Sequence, residues 1–150
     1  MKELTLVIPA KDEAECLPRV LDELKNFDCK KIIIIPETDL NTRNSIKNFD
    51  CKIITQKAGG FGSALILGIK EVETNFLCIF NADGSFDPQY LKNMYNELLN
   101  NCDFVFNSRY ENSVGSDDDT FLTLVGNRIF TFICNLLFRL NISDVLFTYV

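Results

Sequence analysis

Phe76-Leu77-Cys78-Ile79-Phe80-Asn81-Ala82-Asp83-Gly84-Ser85-Phe86-Asp87-Pro88 is the stretch on which the fold turns. Phe76 to Phe80 is an unbroken apolar run, read as a buried strand, and it opens straight into a loop of two carboxylates, an amide and a hydroxyl. Asp87-Pro88 then starts a helix to about Asn100, since proline suits a first helical position behind a capping aspartate. A strand buried on both faces that feeds a polar loop and a helix is one β-loop-α unit. Further units flank it. Upstream, Leu4–Pro9, Ile32–Ile35 and Lys52–Thr55 read as strands, with helical spacing over Ala14–Phe27, Asn41–Phe49 and Ser63–Val72 between them. Downstream, Asp103–Asn107 reads as a fifth strand.

Strands alternating with helices in this way predict an α/β fold with a mostly parallel central sheet and helices on both faces, a Rossmann-like sandwich. Ligands of such sheets sit beyond the carboxyl ends of the strands. Four places qualify: Pro9–Glu13, Pro36–Asp39, Gly59–Gly62 and Asn81–Asp87. The oxygen-rich Asn81–Asp87 loop suits Mg²⁺ or Mn²⁺, sharing its coordination with nucleotide phosphates. The same residues also suit an ordinary turn, with Asp83-Gly84 at the bend and Asp87 as the helix cap. On this loop alone the ordinary turn is the better reading.

Composition narrows the chemistry. The chain has 150 residues, 47% hydrophobic and 24% charged, enough for one domain with a substantial core. Fifteen Lys and Arg oppose twenty-one Asp and Glu, a net charge of -6, and no dense basic run exists to neutralise a phosphate backbone, so nucleic acid is excluded as a partner. There is no histidine, which removes imidazole acids, bases and metal ligands. Cysteines at 16, 29, 51, 78, 102 and 134 lack Cys-x-x-Cys spacing, and Met1-Lys2-Glu3-Leu4 enters a strand at once without a secretory signal. Reduced thiols in a cytoplasmic protein are the expectation. No apolar run reaches the ~18 residues of a membrane span, Ile129 to Phe138 coming nearest. Phe121 to Leu140 is apolar on more than one stripe of a helix, so it is expected under further structure, under a second copy or on a membrane surface.

Taken together, the motifs resemble the family 2 glycosyltransferases of GT-A fold, in particular their dolichol-phosphate-mannose-synthase-like branch. Leu6-Val7-Ile8-Pro9-Ala10-Lys11-Asp12-Glu13 is similar to the family's opening strand and Pro-Ala-x-Asn-Glu turn. Gly60-Phe61-Gly62-Ser63-Ala64 with Gly68 is similar to its Gly-x-Gly-x-Ala helix start, and Asn81-Ala82-Asp83 stands at its Asp-x-Asp metal motif. Asp103-Phe104-Val105 and Ser108-Arg109-Tyr110 are similar to its Asp-x-Val and Ser-Arg-Tyr segments.

The resemblance implies an inverting, metal-assisted transfer of sugar from a GDP- or UDP-sugar to a lipid-linked phosphate or other polar acceptor. It implies that Pro9, Ala10 and Glu13 line the base and ribose site, with Glu37 or Asp39 at the base. Lys57, Gly62 and Ala82 complete the nucleotide contacts. Asp83, with Ser85 and the Asn81 amide, would hold Mg²⁺ or Mn²⁺. Arg109 and Arg128 would face the acceptor phosphate, since a guanidinium fork suits phosphate. Asp144 is the late carboxylate for a hydroxyl acceptor's proton. Residues 1–107 would form the nucleotide-sugar half of a single domain and 108–150 the start of the acceptor side, cut short at Val150, at the cytoplasmic face of a membrane. Departures are Asn81 for the first metal aspartate and Pro36-Glu37-Thr38-Asp39 for an Asp-Asp pair. They leave a catalytically silent nucleotide-binding domain as the alternative. A nucleotidyltransferase would need a basic Gly-rich loop where Lys11-Asp12-Glu13 stands, and a dinucleotide-binding module a Gly-x-Gly-x-x-Gly after the first strand; neither is present.

Overall fold

The structure, a computed structural model, describes residues 1–100, 102–108 and 121–150. They fall into two compact units, Met1–Cys102 and Asp103–Val150. Within the second unit the Asn107 N–H donates to the Tyr149 carbonyl at 3.0 Å.

In the first unit β1 (Leu4–Pro9), β2 (Lys30–Pro36), β3 (Lys52–Gln56) and β4 (Phe76–Ile79) form one sheet in the order β3-β2-β1-β4. All pairings are parallel, with Val7 opposite Ile32 and Ile79, and Ile34 opposite Ile54. Four consecutive isoleucines, 32–35, make β2 apolar on both faces, and each is at most 4% exposed. β-branched side chains suit this doubly covered position.

One face carries Val7, Ile32 and Ile34, which pack with Ala64 of α3 (Phe61–Lys70). Gly68 brings this helix close, since a Cβ there would lie 2.5 Å from Val7 Cγ1 and 2.6 Å from Ile34 Cδ1. The opposite face presents Leu6, Ile8, Ile33 and Ile35, none with any exposure. Helix α1 (Leu17–Glu23) buries Leu17, Val20 and Leu21, and runs into a 3₁₀ turn, Leu24–Asn26. It starts three residues later than the apolar spacing predicts. Pro18 accounts for this: a proline is tolerated only in the first turn, so the helix cannot extend far ahead of it. α2 (Leu40–Ser45) is shorter than Asn41–Phe49, and α4 (Tyr90–Leu99) begins after a Pro88–Gln89 turn in which Asp87 Oδ1 accepts from the Gln89 N–H at 2.9 Å.

All six cysteines are free. Burial, with a smaller contribution from Cys29, pushes the Cys78 thiol up to about 12, so it packs as an uncharged side chain at neutral pH.

The second unit contains α5 (Phe121–Phe138) followed by an irregular return. The expected strand at Asp103–Asn107 is not formed: among the described residues no ladder reaches it, and a strand exists only through its partners. The less exposed side of α5 mixes Leu124 and Cys134 with polar groups. Thr131 is buried and its hydroxyl accepts from the Val145 N–H at 3.3 Å, while Asn135 exchanges two bonds with Ile142, at 2.9 and 3.2 Å. Leu122, Ile129, Phe132, Leu136 and Leu137 are exposed. Among the described residues no helix is long and apolar enough to cross a membrane.

Candidate functional site

In a parallel sheet every strand ends at the same edge, so the loops after β1, β2, β3 and β4 meet there. Local bonds knit the first two. The Ala10 N–H continues the β1–β2 ladder to the Ile34 carbonyl at 2.9 Å. Beyond it the chain turns through Asp12 at φ +60°, and the Asp12 N–H donates to Asp39 Oδ2 at 2.7 Å. The Glu13 N–H donates to Thr42 Oγ1 at 2.9 Å. Asp39 also caps α2, its Oδ1 accepting from the Thr42 N–H at 3.1 Å.

Burial alone would raise the Asp39 pKa. The Asp12 and Thr42 hydrogen bonds, with help from Arg43, outweigh it and hold the carboxyl below its usual range. A lowered folded-state value contributes stability above the unfolded pKa that is lost as pH falls through the folded one. Asp39→Ala removes both the cap and the tie to the first loop, so it should cost about 1–2 kcal/mol at pH 7. Urea melts at pH 7 and below pH 3 check this, since the deficit should shrink at the lower pH.

The third loop is held from within. Gln56 is buried, and its Nε2 donates to the Gly60 carbonyl at 2.8 Å and to Ser63 Oγ at 2.6 Å. Gly60 adopts φ +103°, a conformation that other residues reach only with strain. Lys57 is exposed on this loop. Gly62 stands in the first turn of α3 with open space around it, unlike Gly68.

The fourth loop carries the metal candidates. Ala82 is buried, so only its backbone is available to a ligand, and Phe86 is buried against Phe80 edge to face, with ring centroids 5.7 Å apart. These two anchors leave Asp83 and Ser85 exposed between them. The Ser85 N–H donates to Asp83 Oδ1 at 2.8 Å, and Asn81 Nδ2 donates to Ser85 Oγ at 3.0 Å. The Asn81 amide oxygen is thereby left for another partner.

Glu13 joins the first and fourth loops electrostatically. Burial raises its pKa, and the charges of Asp83, Asp12 and Asp39 raise it further. Four carboxylates therefore share one edge with too little positive charge. A carboxyl raised in the folded state binds more protons there than in the unfolded chain, so stability falls as pH rises from the unfolded value toward the folded one. Glu13→Gln should accordingly be more stable than the unsubstituted chain at pH 7, with no difference at pH 3.5. Paired urea melts at the two pH values test it, and a loss of stability at pH 7 would refute the repulsion.

The structure thus brings Pro9, Ala10, Glu13, Glu37, Asp39, Lys57, Gly62, Ala82, Asn81, Asp83 and Ser85 to one edge of the first unit. Of the two base-reading candidates, Glu37 is exposed, whereas both oxygens of Asp39 are engaged by backbone N–H groups. Arg128 and Asp144 belong to the second unit, Arg128 exposed on α5 and Asp144 buried at 1% exposure. Arg109 lies outside the described residues. Sequence reading missed the Thr42 hydroxyl and Gln56, and neither lies in a motif. Their only trace was position, one turn into α2 and at the last residue of β3.

Architecture and edge together define a nucleotide-sugar-transferase type of α/β fold, GT-A-like. A solved structure of glucosyl-3-phosphoglycerate synthase from Mycobacterium tuberculosis in complex with UDP matches it with a TM-score of 0.55 at 16% identity, over 64% of this chain and 39% of that one. Residues 5–150 match the model of glycosyl transferase family 2, and the chain belongs to that family. Uncharacterized glycosyltransferases of Mycobacterium bovis and Mycobacterium tuberculosis are 27% identical over 106 residues, 71% of this chain. The chain spans about half the length of these curated relatives, 48%.

Proposed function

We propose that this chain carries the donor-binding part of an inverting glycosyltransferase that takes a sugar from a nucleoside-diphosphate sugar, with Mg²⁺ or Mn²⁺ held at Asp83. The observation that carries the reading is the exposed Asp83 on the loop after β4, its Oδ1 accepting from the Ser85 N–H and its charge adding to the carboxylate crowding at Glu13. A divalent cation would relieve that crowding. Among the described residues no three carboxylate or thiol groups converge on one metal position. Asp83, with the Ser85 hydroxyl and the Asn81 oxygen, is a hard oxygen donor set of the kind Mg²⁺ or Mn²⁺ takes, and these residues would hold the ion together with a bound diphosphate. Bound there, the ion would neutralise charge that develops on the departing diphosphate.

The chain's own residues do the rest. Pro9 and Ala10 give a backbone shelf for the nucleoside, and Glu13 accepts from ribose hydroxyls. Glu37, exposed where Asp39 is spent, reads the base. UDP is the favoured nucleotide over GDP because the structural neighbour was solved with UDP. The acceptor would be a lipid-linked phosphate or another polar group, with Arg109 and the exposed Arg128 as the candidates for its anion; Asp144, 1% exposed, would serve as base for a hydroxyl only once uncovered. The exposed apolar side of α5, with no acidic residue between Phe121 and Ser143, would rest on the cytoplasmic face of a membrane.

A thermal-shift panel of UDP, GDP and their sugars, with Mn²⁺ or with chelator, tests the donor site. A nucleotide at about 100 times its Kd should add ~2.7 kcal/mol. Stabilisation by UDP that chelator abolishes supports the reading. Stabilisation without any transfer or hydrolysis of the sugar would favour a silent nucleotide-binding domain, and a flat panel would sink the donor site.

A further inference from the structure

We infer that Arg19 is a positioning residue for Asp83, acting through the backbone of Gly84; the inference rests on the proposed metal role of Asp83. Gly84 lies between Asp83 and the Ser85 N–H that fixes the Asp83 carboxylate, so its backbone sets the geometry of that bond. It adopts φ +83°, which glycine alone takes without strain. The space on its Cα is filled. A Cβ built there would lie 2.5 Å from Arg19 Nη2, 3.6 Å from Arg19 Cζ and 3.8 Å from Val20 Cγ2.

The guanidinium thus reaches, Nη2 first, the one residue of the loop that has no side chain. Val20 beneath it is 1% exposed, so the first turn of α1 makes a firm seat for the loop. Ion pairing does not account for this placement. Among the described residues the ion-pair partner of Arg19 is Glu23 at 4.0 Å, one helical turn on, and the Arg19 side chain is 66% exposed. An exposed pair at that distance fixes an arginine weakly. Contact with Gly84 is the constraint that remains: the glycine, having no Cβ, admits the guanidinium tip beside its Cα. With Phe80 and Phe86 anchoring the loop ends, Arg19 is the support at its middle.

Arg19→Ala and Arg19→Lys decide the matter through two readouts on the full chain. One is solvent exchange of the Ser85 N–H by NMR without metal or nucleotide, and the other is the Mn²⁺ dependence of UDP binding by calorimetry. Arg19→Ala is expected to speed Ser85 exchange and to raise the Mn²⁺ concentration needed for half-saturation about 10-fold, the lower range for loss of a group that orients a metal ligand. UDP affinity in chelator and the urea midpoint should not change, and Arg19→Lys should restore most of the Mn²⁺ response. Unchanged Ser85 exchange in Arg19→Ala overturns the inference. So does an equal loss of UDP affinity with Mn²⁺ and with chelator, which would make Arg19 a direct ligand contact. If the unsubstituted chain binds UDP without any Mn²⁺ effect, the metal role of Asp83 fails instead, and Ser85 exchange alone judges Arg19.

Discussion

Asp83→Ala should reduce UDP binding in Mn²⁺ to the level seen in chelator, and should slow sugar transfer by about 10²–10³-fold, the usual consequence of removing one group that stabilises developing charge. The side chain is exposed and its one recorded bond is to the Ser85 N–H, so its loss should leave the fold intact. Stability in chelator should if anything rise, because the charge that helps push up the Glu13 pKa is gone. Asp83→Asn separates the two contributions: it keeps an oxygen for the Ser85 N–H but carries no charge. Metal dependence that survives in Asp83→Ala would place the ion elsewhere.

The second large effect is on stability. Gly68→Val forces a branched side chain into the gap between α3 and the sheet, where even a Cβ would lie 2.5 Å from Val7 Cγ1 and 2.6 Å from Ile34 Cδ1, both residues having no exposure. Overpacking of this kind costs about 1–3 kcal/mol, and a β-branched residue belongs at the upper end. Gly68→Ala meets the same atoms but recovers about 1 kcal/mol of helix propensity, so its net cost should be smaller. Gly62→Ala meets nothing within 4 Å and should be neutral or slightly stabilising. Urea melts of the three variants give the order, and a stable Gly68→Val would show that α3 can slide off the sheet at little cost. Gly62→Ala has a second use, because a loss of UDP affinity without a loss of stability would mean that a phosphate approaches that backbone closely.

The contrast between these glycines shows how far sequence could be read. Both stand in one motif, and pattern alone treats close packing and ligand approach as equal explanations for each. The difference comes from the neighbours of Gly68 across the sheet, which are some 34 and 61 residues away in the chain and leave no local trace. The strands β1 to β4 were legible because burial on both faces demands unbroken apolar runs, and Ile32–Ile35 has no other economical explanation. Asp103–Asn107 has a similar composition, yet it forms no ladder among the described residues. Apolarity reports a capacity for burial, and pairing needs a partner that composition does not supply. Within the site, Asp83 was visible because its loop is dense in oxygen ligands. Thr42 and Arg19 were not, because each acts on a loop that another element delivers. The helix α5 was legible as apolar, but not that Thr131 and Asn135 would bond the chain that follows it.

The strand order sets a timetable for synthesis. β1 is translated before the other three strands of its sheet, yet it ends in the interior of that sheet, with β2 on one side and β4 on the other. Until Phe76–Ile79 has emerged, the edge bearing Leu4 to Val7 has nothing to bond, and loop closure over that separation must precede any gain from pairing. The first of the four made is therefore among the last completed, and a nascent chain halted before Ile79 holds an open, apolar β edge that a chaperone or another nascent chain can occupy.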